Sequence, residues 1–165
     1  MCMKNVNANA MCFKSVVIEN NQIVSFTAPF NAMKSLSDEN GICTDDFSIV
    51  TQIDILGTNN RESKAENPLE SNRQLDFKIR LTKLDKVDEK RLGFDIDNFS
   101  VDLAEMKEMS KTEMACFEFF NYTRMTQIDK LHLPAGPGKY VIKVLVKYAE
   151  DENYQIQSMT GLTIL

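Results

Sequence analysis

Histidine is the side chain that most readily moves protons near neutral pH, and this chain has one, His132. Zinc centres that need two or three imidazoles are therefore excluded, and any Ser-His-Asp or Cys-His arrangement must use this residue. It lies in Leu131-His132-Leu133-Pro134, at the end of an expected strand, and no G-x-S-x-G nucleophile elbow accompanies it. It reads as an edge or corner histidine. Gly136-Pro137-Gly138-Lys139 has the look of a phosphate loop, but Tyr140 stands where a magnesium-holding Ser or Thr is required. Pro137 also lacks a backbone N–H to offer a phosphate, so a turn is the better account. Asp38-Glu39-Asn40-Gly41 resembles part of a calcium loop. With Gly41 at the glycine position, Leu36 and Phe47 fall where oxygen ligands are needed, and the match fails.

Three carboxylate groupings remain. Asp95 and Asp97 alternate on a short apolar stretch and read as water-facing strand residues, and Asp45-Asp46 reads as a strand entry. Glu118 sits between Phe117 and Phe119; it is either a buried carboxylate with a raised pKa or the wet side of an edge strand. The cysteines Cys2, Cys12, Cys43 and Cys116 contain no C-x-x-C pair, which argues against a zinc ribbon or a secreted disulfide framework. The reading assigns no catalytic residue, no metal site and no cofactor. The densest unexplained feature is aromatic: Phe117, Phe119, Phe120 and Tyr122 fall within six residues, enough for both faces of one strand. One face belongs to a core; the other is either covered or open to a partner, so these four are the candidate partner-binding residues.

The elements that must hold these residues show alternation of period two. In Leu75-Asp76-Phe77-Lys78-Ile79-Arg80-Leu81-Thr82 the apolar residues share one face, a pattern a helix would scatter. Phe47–Ile55 and Tyr140–Tyr148 repeat it, and the segment from Tyr154 to Leu165 is the expected antiparallel partner of the latter. Cys12–Glu19 and Gln22–Thr27 flank Asn20-Asn21, a hairpin signal because asparagine tolerates positive φ. Gly93–Ile96 and Met114–Phe120 add strands, and Thr123–Leu131 is a weaker candidate. Asp102-Leu103-Ala104-Glu105 carries a capping box, and Pro29 is expected to open a second helical turn ending near Leu36 with Phe30, Met33 and Leu36 buried. Residues 57–74 form a long polar stretch that is either functional or disordered. Residues 1–10 read as an N-terminal arm whose order the pattern leaves open, and residues 11–165 as one domain.

Composition sets the class. Hydrophobic residues at 43% and charged residues at 26% describe a globular chain able to build a core without disulfide or metal. The net charge of −5, with no strongly basic stretch, argues against direct nucleic-acid binding. No apolar run is long enough to span a membrane, and Met1–Ala10 has no signal-peptide core, so a cytoplasmic chain with reduced thiols is expected. Without a predicted secretion signal, Asn98-Phe99-Ser100 and Asn121-Tyr122-Thr123 are chance matches to a glycosylation sequon. The excess of asparagine and lysine over arginine suggests an AT-rich coding source, bacterial or phage.

Leu133-Pro134-Ala135-Gly136-Pro137-Gly138-Lys139-Tyr140 resembles the corner entering strand F of immunoglobulin-like domains. That resemblance, confined to residues 131–165, implies an antiparallel Ig-like β-sandwich of seven to nine strands with one or two short helices. It further implies that the Tyr140 hydroxyl bonds backbone a few residues upstream. The antibody-type Trp and inter-sheet cysteines are absent. The expected function is a non-catalytic protein-binding module that meets another protein through a sheet edge, an aromatic surface or end loops. The alternative is a small acidic phage or mobile-element inhibitor of a host enzyme or nucleic-acid-binding complex, carried by the acidic stretches 38–54 and 95–118.

Overall fold

The strong period-two segments become the long, mutually antiparallel strands of two sheets. In the computed structural model, residues 6–20, 22–27, 29–56, 74–84, 93–105 and 119–165 are described. The strands in chain order are β1 (Val6–Phe13), β2 (Val16–Glu19), β3 (Gln22–Phe26), β4 (Pro29–Phe30), β5 (Ala32–Met33), β6 (Ser35–Asp38) and β7 (Gly41–Thr44). They continue with β8 (Phe47–Leu56), β9 (Gln74–Lys83), β10 (Gly93–Asp102), β11 (Phe119–Ile128), β12 (Gly138–Tyr148) and β13 (Gln155–Ile164). One sheet has the order β11-β8-β1-β4 and the other β10-β9-β12-β13-β5; β2-β3 and β6-β7 are separate hairpins. The protein is mostly β, a sandwich in general terms.

The core lies between the two larger sheets, because each presents its apolar row to the other. Ile49, Ile53 and Ile55 of β8 meet Leu75, Phe77, Ile79 and Leu81 of β9 and Ile142, Val144 and Val146 of β12 in one buried cluster. Burying such side chains is worth about 1.5–3 kcal/mol each, which makes this cluster the main source of stability. Along the β1 flank the core residues are small. Ala8 and Ala10 are fully buried, and the Thr160 hydroxyl of β13 donates a 2.8 Å hydrogen bond to the Ala10 carbonyl.

Four expectations change. Residues 6–10, read as part of an arm, form the first half of β1, which pairs with β8 from Val6↔Ile55 to Phe13↔Ser48. Two alanines among asparagines gave little apolar signal there, yet small residues suit a strand that packs this tightly.

The helical turn expected from Pro29 to Leu36 is instead a chain segment crossing between sheets. Phe30 and Pro29 pair with Cys12 and Phe13 of β1, and Ala32 and Met33 run parallel to Thr163 and Ile164 of β13. Backbone bonds from Thr163 N to Asn31 O (2.8 Å), Leu165 N to Met33 O (2.9 Å) and Ser35 N to Leu165 O (2.7 Å) override the three-residue spacing of the apolar groups. Phe30 and Met33 pack on the core as expected, whereas Leu36 is exposed.

Strand β10 extends well past Ile96. A register shift between Asp95 and Asp97 marks a bulge at Ile96, so the inward row changes from Phe94 and Ile96 to Asp97, Phe99 and Val101. Finally, the weaker candidate Thr123–Leu131 is strand only as far as Ile128, where it belongs with Phe119 and Phe120 to one ten-residue strand.

Other expectations are found in place. Asn20 takes φ 50 at the β2–β3 turn. Asp102 Oδ1 accepts the backbone N–H groups of Ala104 (2.8 Å) and Glu105 (3.3 Å), capping helical residues that are described from 103 to 105, where Leu103 is buried. Tyr140 is buried, and its hydroxyl donates to the Gly136 carbonyl four residues upstream. Gly136 and Gly138 have φ 72 and 146, so the turn into β12 depends on glycine. Glu118 and all of the polar stretch except Gln74 lie outside the described residues, as does Met114–Glu118 of the expected strand.

Candidate interaction surface

Of the aromatic run proposed for partner binding, Phe117 lies outside the described residues and Phe119 opens β11. Phe120 and Tyr122 point into the sandwich and pack, half-buried, against its core, while Asn121 and Thr123 point out. Tyr122 lies 6.2 Å from Phe99, and Phe99 stacks on Phe77 at 5.3 Å with the rings 10° from parallel.

These rings border a polar clasp. Because of the bulge, Asp97 turns inward, where its Oδ2 accepts from Arg124 Nε at 3.1 Å and from the Thr126 hydroxyl at 2.6 Å. The Arg124 guanidinium also lies over the Phe99 ring at 5.2 Å. Hydrogen bonding to Asp97 is the main reason that the Arg124 pKa is held above its ordinary value. The Asp95 carboxylate, one register position earlier, stays on the outer face and binds Arg80 (2.6 Å) and Lys78 (3.1 Å). The two aspartates that share a sequence motif thus serve separate ion pairs.

His132 comes closest to a catalytic constellation. Cys43 and His132 face each other in an isolated antiparallel bridge, and the Cys43 thiol donates to Asp38 Oδ2 at 3.7 Å. Lys130 Nζ lies 3.8 Å from the same oxygen. The chemistry runs the wrong way for a cysteine nucleophile, because burial and then the Asp38 charge raise the thiol pKa instead of lowering it. Asp38 also accepts the Asn40 N–H at 2.8 Å, and Gly41 follows at φ 113, so the calcium-like tetrad is a hairpin turn. Among the described residues no three His, Cys, Asp or Glu side chains are placed to hold a metal ion.

What the sequence did not reveal is a groove on the outer face of the four-stranded sheet. Hairpin β2–β3 stands beside this face, closed at its base by Thr27 N to Ser15 O (3.1 Å) and Ser15 N to Thr27 Oγ1 (3.2 Å). Between hairpin and sheet is a space of about 360 Å³ lined by Met11, Phe13, Ile23, Phe26 and Val50. Asn9, Gln52 and Thr123 supply its polar part, and among the described residues no charged side chain lines it. Phe26 is anchored on Phe13, ring centroids 4.6 Å apart, yet remains 55% exposed, and Met11 is 40% exposed. Val17 and Ile18 on the same hairpin are also exposed. The groove joins residues from β1, β3, β8 and β11, so local sequence carries no signal of it. A second cleft, of about 570 Å³, has an apolar floor of Phe30, Met33 and Leu36 and a rim with Lys14, Lys34, Asp45 and Asp46.

No helix among the described residues is long and apolar enough to cross a membrane. No family model matches the chain, and no curated protein matches it. Among solved structures the chain is similar to the CooA pilin subunit from enterotoxigenic Escherichia coli, at 7% sequence identity and a TM-score of 0.37, over 94% of this chain and 96% of that one.

Proposed function

We propose that this chain is a non-catalytic, Ig-like β-sandwich that binds another protein through the groove between hairpin β2–β3 and the four-stranded sheet. One observation carries the reading: Phe26 and Met11 stay 55% and 40% exposed over an apolar groove with a neutral polar rim. An aromatic anchor, an adaptable methionine and a surround of amides and hydroxyls are the parts of a protein-binding hot spot. The partner that suits it offers apolar side chains on an uncharged segment. The Ig-like assignment is supported by the bond from the Tyr140 hydroxyl to Gly136, the corner that such domains use. The acidic-inhibitor alternative draws less support, because Asp95 and Asp97 direct their charge at Lys78, Arg80 and Arg124.

The test is affinity capture at low and high salt with the wild-type chain and with Phe26→Ser. A stoichiometric partner that survives high salt and is lost from Phe26→Ser supports the groove. A partner retained by Phe26→Ser, or one released by salt alone, overturns it.

A further inference from the structure

Strand β5 ends the five-stranded sheet. Its side of the ladder with β13 uses alternate residues. Asn31 O accepts from Thr163 N at 2.8 Å, Met33 O accepts from Leu165 N at 2.9 Å, and Ser35 N donates to Leu165 O at 2.7 Å. In such a ladder the intervening residues turn their N–H and C=O groups the other way. Ala32 and Lys34, both exposed, therefore present a free backbone edge among the described residues, and both line the cleft of about 570 Å³. On its floor Leu36 is 45% exposed beside the half-buried Phe30 and Met33. Two ladder ends supply the rim. Ser35 pairs with Thr44, and Lys34 and Asp45 stand one residue beyond that pair. Phe13 pairs with Ser48, and Lys14 and Asp46 lie just beyond that one. Among the described residues none of these four charges forms an ion pair.

We propose that this cleft binds a short extended segment of a partner protein in which an apolar residue is flanked by a basic and an acidic one. The segment lies along β5 and exchanges backbone hydrogen bonds with Ala32 and Lys34. Its apolar side chain covers Leu36, its carboxylate meets Lys14 or Lys34, and its cation meets Asp45 or Asp46. The backbone bonds hold any extended chain, and the rim selects among chains. A segment of one sign would set its charges against two like charges of the rim, whereas a mixed segment satisfies both pairs. Nucleic acid fits less well, because Asp45 and Asp46 repel phosphate and Leu36 offers it nothing. The mixed charge also separates this occupant from the uncharged segment suited to the β2–β3 groove, whose Phe26 and Met11 do not line the cleft.

The probe is a fluorescein-labelled peptide as long as β3, capped at both ends, with lysine and glutamate on either side of a leucine. It is titrated against the intact chain by fluorescence anisotropy. Saturable binding is expected, weaker by roughly tenfold for Leu36→Gln and by roughly threefold for Lys34→Gln or Asp45→Asn. The same peptide with N-methyl groups on its central amides should lose binding, a result that needs no change to the protein and so cannot come from misfolding. Phe26→Ser should bind the peptide as the wild type does, which keeps this site distinct from the groove. Absence of saturable binding, equal binding of the N-methylated peptide, or equal binding of a peptide whose charges are all glutamate or all lysine would each overturn the proposal.

Discussion

Asp97 on β10 and Arg124 on β11 join the two sheets where their outermost strands face each other, Oδ2 to Nε at 3.1 Å. The side chains are 13% and 38% exposed, so the aspartate is well sheltered and the arginine much less so. An inward-pointing charge and a bulge are also devices by which edge strands resist pairing with other chains. The clasp therefore closes this flank of the sandwich and guards it.

Removing the aspartate should cost stability through lost hydrogen bonds more than lost charge, since solvent screens the exposed arginine. Asp97→Ala is expected to lower the unfolding free energy by about 1–2 kcal/mol. Asp97→Asn should lose less, because an amide can still serve Thr126. Urea denaturation monitored by circular dichroism measures both.

Thr51 gives the opposite sign. Its side chain is fully buried and its hydroxyl has no hydrogen-bond partner among the described residues. A buried polar group left unsatisfied is a liability, so Thr51→Val, nearly the same shape, should stabilise the protein by about 0.5–1 kcal/mol. A lower denaturation midpoint in this variant would refute the prediction.

Tyr140→Phe removes a buried hydroxyl that does have a partner, the Gly136 carbonyl. The expected loss is about 1–2 kcal/mol with no change of fold, read from the denaturation midpoint and an unaltered spectrum of the native state.

Acid should weaken the outer face of the five-stranded sheet. Burial pushes Asp95 and Asp76 upward, but hydrogen bonds from Arg80 and Lys78, and from Gln74 and Ser100, outweigh it and leave both pKa values below the ordinary 3.8. A carboxylate with a depressed folded pKa contributes stability that is present above its unfolded value and is lost as pH falls through the folded one. Stability should therefore decline below about pH 4, and Asp95→Asn should flatten that limb. Denaturation midpoints across the acid range test the slope.

Cys12 and Cys43, the thiols among the described residues, should be inert while the chain is folded. Burial raises Cys12 to about 12 and also raises Cys43, and both are free and buried. Iodoacetamide at neutral pH is expected to label neither until denaturant is added, with peptide mass spectrometry locating the label.

The sequence spoke clearly where strands are regular and quietly where they bend. Leu75, Phe77, Ile79 and Leu81 alternate without interruption, so β9 was legible from end to end. The bulge at Ile96 reverses the phase of β10, so that Asp97, read as facing water, turns inward toward Arg124. The crossing segment Pro29–Met33 looked helical because its apolar residues recur at intervals of three. Its pairing with both β1 and β13 is a long-range fact that no local pattern holds. The groove was hidden for the same reason, since Met11, Phe26 and Val50 meet only after the sheet has formed.

The bond from Thr160 to Ala10 spans 150 positions of the chain, and that from Ser35 to Leu165 spans 130. Contacts between such distant positions place the protein among slow folders, because loop-closure entropy must be overcome before the contacts contribute. During synthesis the β1 flank stays unfinished until Thr160 has been made. An interval with an apolar flank open is one in which a chaperone could bind, and in which neighbouring nascent chains could exchange strands.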